Sequence, residues 1–216
     1  MTSAPPIVHI VDDDASFRRA IARLLQASGY RVLLYASGEQ ILINPPAREP
    51  GCILLDIRMS GIGGLELQNR LMVLGHALPI VFLTGHADIP TSVKAIKAGA
   101  EDFLSKPVAR KELLDVIERA LARYRETREQ QDRLNALRAL VARLTARESE
   151  VFALMIRGKL SKQIAFALGT TERTIKAHRH SIMQKLQVRS IAEAVSIAER
   201  LGIAAGPSSV DEPAST

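Results

Sequence analysis

Between Ile7 and Lys106 the chain alternates five times between short apolar runs and longer stretches of helical periodicity, and no other feature limits its possible folds as much. The apolar runs predict strands at Ile7 to Val11, Val32 to Tyr35, Cys52 to Leu55, Ile80 to Leu83 and Asp102 to Leu104. The intervening periodicity predicts helices at Ser16 to Ser28, Gly38 to Ile43, Leu65 to Val73 and Pro90 to Ala98, with Gly29 and Gly99 as stops. Strict β–α alternation requires crossover connections. It therefore gives a parallel sheet covered by helices on both faces, a small doubly wound α/β domain.

In such sheets ligands bind outside the carboxyl ends of the strands, so the residues at the strand exits carry the functional information. The first strand runs into Asp12, Asp13 and Asp14, the third into Asp56, the fourth into Thr84 and the fifth into Ser105-Lys106-Pro107. Clustered carboxylates repel one another unless a cation joins them, and hard oxygen ligands of this kind suit Mg²⁺. Lys106 adds a fixed positive charge at the same edge. A carboxylate beside Mg²⁺ and an ammonium group can attack a phosphoryl group, because the cations offset charge on the transferring oxygens. Thr84 could then hydrogen-bond the new phosphoryl oxygen. Asp14, followed by Ser16-Phe17, reads as the N-cap of the first helix.

With Asp12, Asp13, Asp56, Thr84, Phe103 and Lys106-Pro107 in place, residues 5 to 122 resemble the receiver domain of two-component response regulators. The resemblance implies a flavodoxin-like (βα)5 fold with strand order 2-1-3-4-5. It also implies phosphotransfer from a phosphohistidine of a sensor histidine kinase to Asp56. Mg²⁺ would be held by Asp13, Asp56, the backbone carbonyl of Arg58 and, through water, Asp12. It further implies a cis bond before Pro107, and a switch in which Phe103 swings inward as Thr84 follows the phosphoryl group. The chain departs from the family pattern after Asp56, where most members carry Met-Pro and this sequence has Met59-Ser60.

From Pro107 to Gly158 there is no intervening glycine or proline. Leu113, Leu114, Ile117 and Leu121 form one apolar face, Arg125 to Arg133 is almost wholly polar, and apolar positions return at Leu134, Leu137, Leu140 and Leu144. This predicts one long connecting helix over 110–142, acting as a solvent-bridging spacer. Beyond it, Thr145 and Glu148 make a capping box. Four short helices follow, near 148–157, 161–168, 172–186 and 190–201, and the break Gly169-Thr170-Thr171 gives a helix-turn-helix.

Along the third of these helices Ile175, His178, Ile182 and Leu186 share an inward stripe, while Arg173, Lys176, Ala177 and His180 lie on another side. Small and basic groups there suit a major groove, with Lys176 addressing guanine; Arg173, Arg179 and Lys185 suit phosphates. Residues 144 to 201 resemble the LuxR-type DNA-binding domain through Leu144-Thr145-Ala146-Arg147-Glu148, Lys162-Gln163-Ile164-Ala165, Thr174-Ile175-Lys176-Ala177-His178 and Lys185-Leu186. Receiver and DNA-binding domain together resemble the FixJ/NarL class, and the run from Thr84 to Pro90 resembles its FixJ branch. The class implies a homodimer on activation, with contacts assigned here to Ile191, Ala194, Val195 and Ala198. Its other implied partners are double-stranded promoter DNA and RNA polymerase, and it implies transcriptional regulation, with activation expected.

The resulting division is a receiver over 1–122, a helical linker over 123–143, the DNA-binding domain over 144–205 and a disordered tail over 206–216. Charge is also divided unevenly along the chain. Lys+Arg against Asp+Glu stand at 10 and 10 for residues 1–108, 9 and 6 for 109–144, and 10 and 7 for 145–216, so the basic excess lies outside the receiver. The absence of a long apolar run and of a basic-then-apolar start gives the expectation of a cytoplasmic protein with no membrane partner. An enzyme is not expected. An Asp-nucleophile phosphohydrolase would carry a second acid two residues after the nucleophile, where this chain has Arg58. A constitutive DNA binder with a vestigial receiver is the other alternative, and the intact acidic set argues against it.

Overall fold

The structure, a computed structural model, describes residues 5–46, 49–85 and 89–203. His86, Ala87 and Asp88 of the FixJ-like run and the tail assigned to 206–216 lie outside the described residues. Two compact units divide the chain, Met1–Arg128 and Glu129–Thr216.

In the first unit β1 (Ile7–Val11), β2 (Arg31–Tyr35), β3 (Gly51–Asp56), β4 (Ile80–Thr84) and β5 (Asp102–Ser105) form one parallel sheet in the order β2-β1-β3-β4-β5, as expected. Between them run α1 (Ala15–Ala27), α2 (Gly38–Ile43), α3 (Gly64–Val73) and α4 (Ile89–Lys97), and α5 (Arg110–Val141) follows. Period-two alternation distributes each inner strand between two cores. Val8, Ile10, Cys52, Leu54, Val81 and Leu83 pack with Ile21 and Leu25 of α1 and Leu113, Ile117 and Leu121 of α5. On the opposite face Val11, Ile53, Leu55 and Phe82 pack with Ile41 of α2 and Leu67 and Leu71 of α3. Both faces of β1, β3 and β4 are thus closed, which explains the unbroken apolar runs. Cys52, near the start of the central strand β3, is fully buried, and burial pushes its thiol up to about 12.

Local chemistry sets the turns at the functional edge. Asp14 caps α1 by accepting the Ser16 and Phe17 amides at 2.8 and 3.1 Å, and these bonds lower its pKa. The Lys106-Pro107 bond is cis, as the resemblance implied. Gly64 opens α3 where a side chain could not fit, since an added Cβ would sit 2.3 Å from the Asp56 carbonyl oxygen.

The expected linker helix is present as α5, continuous over 32 residues. Its first part gives Leu113, Val116, Ile117, Ala120, Leu121 and Tyr124 to the receiver core; residues 125–127 and 129–133 are exposed. In the second unit Leu137, Leu140 and Val141 pack on a helical core formed by α6 (Ala146–Met155), α7 (Ser161–Ala167), α8 (Glu172–Leu186) and α9 (Ile191–Arg200). Thr145 and Glu148 form the expected capping box at α6. Gly169, at φ 61°, turns the chain between α7 and α8, and Thr171 caps α8. Gln187 ends α8 in a left-handed conformation, φ 57°.

Candidate functional site

The sheet's carboxyl edge brings the predicted acids together. β1 and β3 run in register, so Asp12 and Asp56, one residue past Val11 and Leu55, reach the same edge. One carboxylate oxygen from each of Asp12, Asp13 and Asp56 lies within 4.8 Å of the others. Asp12 and Asp56 are buried and Asp13 is exposed. Three oxygen donors at this spacing, one open to solvent, fit a small hard cation that retains water.

Lys106 joins the acids from the exit of β5. Its Nζ lies 2.6 Å from Asp12 Oδ2 and 2.9 Å from Asp56 Oδ2, and 4.2 Å from the centroid of the Phe17 ring. Burial disfavours the ammonium, but the bonds to Asp12 and Asp56 outweigh it and raise the Lys106 pKa above that of ordinary lysine. Burial also raises the pKa of Asp12, against the opposing pull of Lys106. The Asp12 carboxylate is further fixed by the Asp14 amide at 2.8 Å, and its backbone carbonyl accepts a bond from Arg18. Thr84 is buried at the end of β4, and its carbonyl accepts the Lys106 amide at 2.7 Å, tying the two exits together. Phe103, paired in register with Phe82, is half-buried against the α2–α3 side of the core. The Arg58 amide lies 3.3 Å from Asp56 Oδ1, which brings that residue's backbone to the Asp56 carboxylate.

On the second unit Arg173, Lys176, Ala177 and His180 are exposed along α8, while Ile175, Ile182 and Leu186 are buried, so the predicted division of faces holds. His178 and Arg179 are half-buried. Lys176 pairs with Glu172 at 3.0 Å, both side chains exposed.

Two expectations need correction. Lys185, assigned to a phosphate, points its Nζ 2.5 Å from Glu148 Oε2 and is bound into the domain. The buried Glu148 carboxylate also accepts from the Thr145 amide at 2.7 Å and the Ser181 hydroxyl at 2.6 Å, and these bonds, that of Lys185 above all, lower its pKa to about 2. A buried carboxylate requires such a cation, and that demand outweighs the basic residue's availability to DNA. The second correction concerns α9. Ala194 and Ala198, assigned to a dimer contact, are buried at 0% and 2% exposure in their own unit's core, and Val195 packs on it; only Ile191 of the four is exposed. An i, i+3, i+4, i+7 stripe docks a helix on any apolar surface, and here that surface belongs to the same chain.

Sequence reasoning missed three contributors. Phe17, in the first turn of α1, shows only helix periodicity in the sequence, yet its ring lies against the Lys106 ammonium. Ser60 donates its amide and hydroxyl to Asp13 Oδ2 at 2.9 and 3.1 Å; the departure from Met-Pro was the available signal. Glu148 was read as a cap alone, and its contact with α8, across more than thirty residues, has no local signature.

Residues 8–118 match the family model for the response regulator receiver domain, and residues 142–198 match the model for bacterial regulatory proteins of the luxR family. The chain is 40% identical over 203 residues to nodulation protein W of Bradyrhizobium diazoefficiens, covering 94% of this chain and 89% of that protein. It is 39% identical over 201 residues to the response regulator protein TmoT of Ectopseudomonas mendocina, with 93% and 91% covered. Identity to the transcriptional regulatory protein FixJ of Azorhizobium caulinodans is 36% over 197 residues, with 91% and 93% covered. Among solved structures, the response regulator StyR aligns with a TM-score of 0.83 at 44% identity, over 91% of this chain and 100% of that one. Full-length FixJ from B. japonicum aligns with a TM-score of 0.58 at 34% identity, over 94% and 100%.

Proposed function

Because this chain belongs to the response regulators that join a receiver domain to a LuxR-type DNA-binding domain, we propose that phosphorylation of Asp56 controls its binding to promoter DNA. The observation that carries the reading is Lys106, placed within 3 Å of both Asp12 and Asp56 at an edge where three carboxylates converge. The donor is the phosphohistidine of a sensor histidine kinase. An Asp56 oxygen attacks phosphorus, the P–N bond breaks as the P–O bond forms, and the imidazole leaves with the electron pair. Lys106 holds positive charge beside the transferring oxygens. Thr84 offers its hydroxyl to the new phosphoryl group, and Phe103 is the ring that repacks with it. Mg²⁺ is the proposed cation, held by Asp13, Asp56 and the Arg58 backbone carbonyl, with Asp12 acting through water. When bound it offsets charge on the phosphoryl oxygens.

The output is a homodimer that places two α8 helices on double-stranded DNA. Lys176, Ala177 and His180 face base edges, and Arg173 and Arg179 contact phosphates. The division into 1–122, 123–143 and 144–205 remains our proposed domain plan. RNA polymerase is the proposed further partner, transcriptional activation the proposed outcome and the cytoplasm the proposed location. Among the described residues no helix is long and apolar enough to cross a membrane. The relatives are regulators, and we propose no enzymatic turnover. Footprinting affinity and molar mass, measured with and without a small phosphoryl donor plus Mg²⁺, test the reading. The donor should raise dimer population and affinity in the wild type and leave Asp56→Ala unchanged. Equal affinity of both proteins under all conditions would identify a constitutive binder.

A further inference from the structure

The loop after Asp56 is fastened at two points. Ile62 donates its amide to Glu39 Oε1 at 3.0 Å, and Ser60 donates both its amide, at 2.9 Å, and its hydroxyl, at 3.1 Å, to Asp13 Oδ2. Between them Gly61 stands at φ 78°, where an added Cβ would lie 2.6 Å from Glu39 Oε1. The loop is therefore held to α2 on one side and to the exit of β1 on the other. Asp13 is the exposed member of the acid set; Asp12 and Asp56 are buried and share Lys106. An exposed carboxylate on a free rotamer must be ordered each time a cation arrives. Two donors on one oxygen, Oδ2, do that in advance, and Ser60 leaves Oδ1 unengaged.

We propose that Ser60 is a positioning residue for cation binding, holding Asp13 in the geometry that completes the acidic site. The inference rests on the reading of Asp13 as a cation ligand. Outer-shell hydrogen bonds to ligating groups are worth roughly 10–100-fold in metal affinity. Ser60 supplies two such bonds, one from the backbone and one from the side chain. Their chemistry separates them: alanine keeps the amide and loses the hydroxyl, proline loses both, and threonine keeps both.

The test is Mg²⁺ titration of the full chain by calorimetry, for wild type, Ser60→Thr, Ser60→Ala, Ser60→Pro and Asp13→Asn. Thermal unfolding in the absence of Mg²⁺ establishes that each variant is folded. The expected order of affinity is wild type equal to threonine, alanine about threefold weaker, proline about tenfold weaker and Asp13→Asn weakest. Should the proline variant unfold, the threonine and alanine variants decide the matter. Affinity of Ser60→Ala equal to or tighter than wild type, with Asp13→Asn weakened, overturns the role of Ser60 and leaves the site standing. Undiminished affinity of Asp13→Asn overturns the site reading beneath it.

Discussion

Replacing Glu148 with glutamine should loosen α8 while leaving the receiver untouched. The Glu148 side chain is 6% exposed and engages Lys185, Ser181 and the Thr145 amide, so its charge is concentrated where α6 begins and α8 passes. Those partners lower its pKa from 4.5 to about 2. At 1.36 kcal/mol per unit this corresponds to about 3 kcal/mol of stability, an order-of-magnitude figure. The sign follows from the lower folded pKa: the contribution is complete above pH 4.5 and is lost as pH falls through about 2. Glutamine retains the shape and an acceptor but not the charge. Because the Lys185 side chain is 29% exposed, its freed ammonium can reach water, and the loss should fall below the roughly 3–5 kcal/mol of a fully buried pair. We expect about 2–3 kcal/mol, hence about 30- to 150-fold faster hydrogen exchange at the Ile175 and Ile182 amides at pH 7. Lys185→Met should cost a similar amount, and the double variant less than the sum. A change below about threefold in Glu148→Gln would refute the reasoning, as would full additivity.

Lys106→Met should abolish donor-dependent gain in DNA affinity with Asp56 intact, and carboxyl titration by NMR should find Asp12 shifted further upward without its ammonium partner. Lys176→Ala should leave exchange in α8 within about 0.5 kcal/mol, since its pair with Glu172 is exposed, yet weaken specific DNA binding by roughly 1–3 kcal/mol in a footprinting titration. Gln187→Gly should stabilise the second unit by about 0.5–1 kcal/mol, because glycine accepts the left-handed end of α8 without the Cβ penalty; amide exchange reads the gain. Burial of His9 holds its pKa at about 4 against an ordinary 6.5, so the unfolded receiver binds a proton before the folded one does. Receiver stability should therefore fall between pH 6.5 and about 4 in acid-unfolding curves, and His9→Gln should remove that slope.

Most of the receiver was legible because its signals are local. The inner strands β1, β3 and β4 are closed apolar runs, and the acids, Thr84 and Lys106 sit at or just past strand exits, so the parallel topology places them together without knowledge of any long-range contact. Strand ends moved by a residue or so, as where Asp56 itself closes β3. The second unit was legible in its elements and less so in the use of its residues. Lys185 and the α9 stripe have the chemistry expected of surface contacts, and only the packing shows that Glu148 occupies one and the domain core the other. A basic side chain and an amphipathic face are defined locally; what they meet is decided by tertiary distance.

Cys52 gives the receiver an internal gauge of its own opening. The chain contains no tryptophan, and this is its single thiol, lying in the first unit on the middle strand of the sheet. Its side chain lies in the core closed over by α1 and α5, so a thiol reagent reaches Cys52 only after those helices have lifted from the sheet. The rate of alkylation under native conditions therefore counts receiver openings alone, each tenfold slowing marking about 1.4 kcal/mol of added stability. Cation binding or phosphorylation at the sheet edge can be weighed by this clock without a reporter group, while the DNA-binding unit stays silent.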